Sequence, residues 1–92
     1  MYIHLGNNVS VNTDDIIGIF DIENTSTSES TKNFLRHAAE TGRTVSVSYE
    51  MPKSFIVCTD RNNQEIIYIS QISASALRKR AAQNDEIQNW RI

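Results

Sequence analysis

The stretch Ser54–Ile72, SFIVCTDRNNQEIIYISQI, sets the folding problem for this chain of 92 residues. It reads as a β-hairpin. Phe55-Ile56-Val57-Cys58 forms one apolar run and Ile66-Ile67-Tyr68-Ile69 the other. Thr59–Glu65 between them is polar and rich in turn formers. Neither run alternates. Successive side chains of a strand point to opposite faces, so both faces of this hairpin need cover. In so short a chain that cover is scarce. The expectation is that a second copy supplies part of it, with Phe55, Val57, Ile67, Tyr68 and Ile69 as the interface between copies.

Upstream, Tyr2–Leu5, the turn Gly6-Asn7-Asn8 and Val9-Ser10-Val11 predict a first hairpin. Asn12–Asp15 is a second turn. Ile16–Ile22 follows as a nearly continuous apolar strand, with Gly18 marking a bulge or a close backbone approach. Ser26-x-x-Glu29 fits a capping box, so a helix is predicted from there to about Thr41. Phe34, Leu35 and Ala38 share its apolar face, and Gly42 is the residue that ends it. Thr44–Tyr49 alternates cleanly and predicts a half-buried strand with Val45, Val47 and Tyr49 on one face. Glu50-Met51-Pro52-Lys53 breaks that strand. After the hairpin, Ser73 is a plausible N-cap for a short helix over Ala74–Ala82, anchored by Leu77. Residues 81–92 are polar apart from Ile87, Trp90 and Ile92 among the larger side chains. They form a partly ordered tail or prolong the last helix.

The order is therefore β-β-β-α-β-β-β-α. It is an α+β domain with a small, mostly antiparallel sheet of about six strands and two helices, spanning residues 1–80.

Composition narrows function by exclusion. With 39% hydrophobic and 22% charged residues the chain suits a single globular domain. No apolar run is long enough for a membrane helix, and the first residues lack the pattern of a signal peptide. A cytoplasmic protein with no membrane partner is expected. The single cysteine, Cys58, lies in an apolar strand and reads as a small core residue. His4 and His37 have no assignable catalytic partner. Asp14-Asp15 reads as a turn, and three scattered glycines build no phosphate loop. Neither a cofactor nor a metal is expected, and the chain reads as a binding or regulatory protein rather than an enzyme. Net charge is −2, yet Arg78-Lys79-Arg80 concentrates positive charge. That cluster suits a phosphate-binding element, or the basic last turn of a helix.

Four blocks in fixed order resemble a known family: Met1–Val9, Asp15–Glu23, Pro52–Val57 and Tyr68–Ser73. Over residues 1–80 the chain is similar to the RemA/RemB family of extracellular matrix regulators of Gram-positive bacteria. The resemblance implies a small transcription regulator of biofilm matrix genes. RemA in this family is a DNA-binding activator that assembles into rings, with a subunit fold likened to the LytTR DNA-binding domain. A homo-oligomer, DNA and a paralogous regulator are the partners it suggests. An arginine of the RemA proteins falls here at Asp14-Asp15, and their arginine cluster at Glu50-Met51-Pro52-Lys53. The phosphate contacts left to this chain are Lys53, Arg61, Arg78, Lys79 and Arg80. The alternative is an interaction module that binds no DNA and modulates a partner regulator, through its acidic loops and the tail that holds Trp90.

Overall fold

The computed structural model describes residues 1–22 and 28–90, with side chains described as far as Ala82. The elements are β1 (Tyr2–Gly6), β2 (Val9–Asn12), β3 (Ile16–Asp21), α1 (Glu29–Glu40), β4 (Thr44–Ser46), β5 (Ser54–Thr59), β6 (Glu65–Ser70) and α2 (Ala74–Trp90), with a 3-10 turn at Thr13–Asp15. The class is α+β, as the pattern predicts. The strands, however, divide into two sheets. β1 and β2 pair alone, and the other four run in the order β3-β5-β6-β4. β4 lies parallel to β6, with Thr44 opposite Ile67 and Ser46 opposite Ile69. The remaining pairings are antiparallel.

This division answers the question of cover. On one face of the four-stranded sheet, Ile56 and Cys58 of β5 join Ile3, Leu5, Val11 and Leu77. The two-stranded sheet and α2 form that lid. On the other face, Phe55, Val57 and Ile67 pack against Ala38, with Phe34 and Leu35 beside them. That lid is α1. The two non-alternating runs are therefore buried on both sides within one chain, Phe55, Val57 and Ile67 included. Those three side chains are at most 5% exposed. Tyr68 and Ile69 are half-buried against the same two cores.

Turn chemistry fixes the local geometry. Asn7 and Asn8 both adopt positive φ, at 42° and 68°, as a two-residue type I′ hairpin turn requires. Gly6 precedes them at φ 121°, at the register shift between β1 and β2. A bulge also interrupts β3 between Ile16 and Gly18. A Cβ on Gly18 would lie 2.6 Å from the Phe20 ring, so the expected bulge is present and the close neighbour is a side chain rather than a backbone.

Helix α1 starts at Ser28, whose Oγ accepts from the Thr31 amide at 3.1 Å. The cap expected at Ser26 lies outside the described residues. The helix ends in a Schellman motif: the Arg43 amide donates to the Ala38 carbonyl and the Gly42 amide to that of Ala39. Gly42 has φ +72° and open space around its missing side chain. Gly42→Ala should therefore cost only the left-handed backbone strain, about 1 kcal/mol, read as a shift in the urea midpoint.

One further strand departs from expectation, and the last helix takes one of its two expected forms. β4 stops at Ser46, because Val47 leaves the ladder with a single bond from its amide to the Ile69 carbonyl. Val47 then joins the core under the small sheet, while Val45 is 39% exposed and Tyr49 fully so. Val45, Val47 and Tyr49 thus share no face. α2 continues past Ala82 to Trp90, since no glycine or proline stops it. No helix of the described residues is long and apolar enough to cross a membrane.

Candidate functional site

Five basic residues were expected to meet phosphate, and the fold disperses them. Lys53 immediately precedes β5 and is exposed; its amide donates to the Ser70 carbonyl and its carbonyl accepts from the Ile22 amide. Arg61 is exposed in the turn beyond the far end of β5. Six strand residues at about 3.3 Å each place those two roughly 20 Å apart or more. Arg78, Lys79 and Arg80 lie within α2, not in its last turn, which removes the reading as a dipole-complementing terminus. About 100° separates successive helical positions, so the three surround the helix rather than share a face.

Leu77 marks the buried side of α2. Arg78 and Arg80 flank it and tie the helix to both sheets. The Arg78 Nη2 donates to the Ile19 carbonyl on β3 at 2.7 Å. The Arg80 Nη1 donates to the His4 carbonyl on β1 at 2.9 Å. Both residues remain exposed, so their other N–H groups face solvent. Lys79 falls on the outer side. These two arginines are positioning residues of the fold, a role that charge counting along the sequence could not separate from phosphate binding.

Acidic groups stand where an anion would be repelled. Asp14 and Asp15 are exposed in the 3-10 turn, where the Asn12 side chain accepts from the Asp14 amide at 3.0 Å. Glu50 is exposed in the β4–β5 connection.

Two concavities are lined by described residues. One, of about 430 Å³, is an apolar groove between the first turn of α1 and the edge strand β3. Phe55 forms its aromatic floor, stacked on Phe20 at 5.0 Å and tilted against Phe34 at 6.5 Å. Ile17, Ser30, Thr31 and Glu65 also line it. Glu65 is paired with Arg43 at 3.2 Å. The second, of about 250 Å³, is more polar and lies between the small sheet and the β5–β6 turn, with Tyr2, Asp15, Arg61 and Tyr68 around it. Cys58 lines its inner end. Burial, and secondarily the Asp15 carboxylate, push the Cys58 thiol up to about 11. Burial also raises the Tyr68 phenol, with Cys58 and Asp15 adding to the effect.

The thiol therefore stays protonated at neutral pH. Alkylation by iodoacetamide at pH 8 should be roughly 100-fold slower in the native protein than in urea. The native state holds this proton more tightly than the unfolded chain. Its contribution to stability is intact below pH 9 and is lost as pH rises towards 11.

The family model described as extracellular matrix regulatory protein A-like (RemA-like) matches residues 2–81. The chain is also 38% identical over 81 residues to the extracellular matrix regulatory protein B of Bacillus subtilis strain 168. That alignment covers 88% of this chain and 90% of the relative. The matched region takes in both sheets, α1 and the part of α2 that carries Leu77, Arg78 and Arg80. The chain belongs to the RemA-like family of extracellular matrix regulatory proteins.

Proposed function

We propose that this protein regulates extracellular matrix gene expression in the cytoplasm as an assembly of identical subunits that contacts DNA, and that it acts by binding rather than by catalysis. The observation that carries the reading is the placement of its exposed large apolar side chains. Ile17 and Phe20 are 61% and 37% exposed on the edge strand β3, and Tyr49 and Met51 are 107% and 84% exposed in the β4–β5 connection. Two unlike apolar surfaces on one subunit favour head-to-tail contacts, which close into rings when the rotation allows. One subunit offers only dispersed positive groups, namely Lys53, Arg61, Lys79 and the outer edges of Arg78 and Arg80. A ring repeats them along a duplex, and the repeated contacts act together.

A gel shift across a salt series tests the DNA half. Affinity should fall steeply between 50 and 200 mM salt, by at least about tenfold if three or more phosphates are neutralised, and Lys53→Glu should reduce the slope. Binding indifferent to salt, or none at low salt, removes the DNA reading.

A second reading is favoured by the exposed acids Asp14, Asp15 and Glu50: a module that binds a basic partner regulator, such as a RemA-type paralogue, instead of DNA. Pull-down with and without residues 81–92 separates the two, because only this reading loses its partner with the tail.

A further inference from the structure

We infer that the polar cleft between the small sheet and the β5–β6 turn is a binding site for a compact aliphatic zwitterion, with Asp15 holding its ammonium end and Arg61 its carboxylate end. The inference goes beyond the regulatory reading above and depends neither on assembly nor on DNA.

The fold brings these two charges together from distant parts of the chain. Ile16 pairs with Cys58, which seats the 3-10 turn before β3, and Asp15 in it, beside the far end of β5. Arg61 follows shortly after β5, in a turn closed by the Asp60 amide on the Gln64 carbonyl. The third wall is the small sheet. It is tied at this end by the Thr13 amide and hydroxyl, which donate to the Met1 carbonyl at 2.8 and 3.2 Å. The walls are therefore set before any ligand arrives, which lowers the cost of binding.

Of the charged groups that line the cleft, two are left uncommitted. Asp60 is the third, and its Oδ1 accepts from the Asn62 and Gln64 amides at 2.8 and 2.9 Å. The Asn12 Oδ1 is likewise taken by the Asp14 amide. Asp15 and Arg61 are exposed, and neither side chain has a hydrogen-bond or ion-pair partner among the described residues. The Asp15 carboxylate lies close enough to Cys58 and Tyr68 to raise the pKa of both, so its charge is felt at the inner end of the cleft. Arg61 stands on the turn, open to solvent.

Charge and size select the ligand. An anion alone would be repelled by Asp15 and Asp60, and a cation alone by Arg61. No group of three His, Cys, Asp or Glu side chains among the described residues is arranged to hold a metal ion. A zwitterion answers both free charges at once. Its ammonium donates to Asp15 and its carboxylate accepts from Arg61, each in charge-assisted hydrogen bonds. The volume of about 250 Å³ is below the range of drug-sized sites, which limits the occupant to a short chain. Val11 and Ile66 supply apolar wall for the methylenes between the two charged ends.

The test is a titration of the full chain followed by amide NMR. Glycine, β-alanine and γ-aminobutyrate are the zwitterions, and ethylamine and propionate are the single-charge controls. At least one zwitterion should saturate in the millimolar range or tighter and shift the amides of Asp15, Thr59, Arg61 and Tyr68. Each control should bind at least about tenfold more weakly. Asp15→Asn and Arg61→Gln each remove one charge from an exposed position, and each should weaken the binding by about tenfold or more. Unchanged amide shifts away from the cleft show that both variants are folded. The inference is overturned by the absence of a saturable shift with every zwitterion, by shifts centred elsewhere, by controls that bind as well, or by binding that either variant leaves intact.

Discussion

Leu77→Ala should destabilise the protein by about 3 kcal/mol and lower its melting temperature by roughly 10–20 °C. Leu77 is 0% exposed and is the largest buried side chain of α2 among the described residues. It enters the core that also holds Ile3, Leu5, Val11 and Ile56. Truncation removes apolar area and leaves a cavity that the flanking arginine contacts prevent from collapsing, since Arg78 and Arg80 hold the helix at a fixed height. Urea denaturation gives the loss, and hydrogen exchange gives its location. Amides of α2 and of the small sheet should open together, ahead of those in β5 and β6. A loss below about 1 kcal/mol would show that the helix is held by its arginines rather than by its core residue.

The second large effect concerns one hydroxyl. Ser70 is 0% exposed; its Oγ donates to the Leu5 carbonyl at 2.7 Å and accepts from the Ile72 amide at 3.0 Å. Ser70→Ala leaves both groups unpaired, one of them fully buried, and should cost about 2–4 kcal/mol. Ser54→Ala is the calibrating variant. Ser54 is equally buried, and its Oγ donates to the Ile72 carbonyl at 2.7 Å. With one backbone partner exposed to loss instead of two, it should cost about half as much. Equal costs would mean that the contact between the sheets contributes nothing beyond an ordinary buried hydrogen bond.

Local chemistry accounts for what was legible in the sequence. The Ser54–Ser70 hairpin, the bulge at Gly18, the Asn7-Asn8 turn and the Gly42 stop all depend on residues within a few positions of one another. Several hydroxyl residues precede α1, any of which can cap, and Ser28 is the one used. What the sequence concealed depends on distant elements. Clean alternation over Thr44–Tyr49 suggests six half-buried residues, but parallel pairing with β6 ends after three, and Val47 turns to another core. Phe55, Val57 and Ile67 looked uncovered because α1 offers them only one phenylalanine, one leucine and a small alanine. That alanine instead lets the helix sit close, and Ala38 is 0% exposed. The basic residues were legible as residues but not as a surface. Their separation follows from strand length and helix pitch, and two of them bond carbonyls 59 and 76 positions away.

Those long-range bonds have a consequence for the nascent chain. β1 and β2 can pair as soon as they are made, but a two-stranded ribbon has little stability by itself. Their lasting partners come much later: the Val47 carbonyl for Asn7, the Ser70 hydroxyl for Leu5, and the Arg80 guanidinium for His4. During synthesis the first hairpin therefore waits, with Ile3, Leu5 and Val11 in water, until Arg80 has cleared the ribosome. β1 thus precedes in the chain the elements that finally hold it, and is among the last of the described strands to be seated.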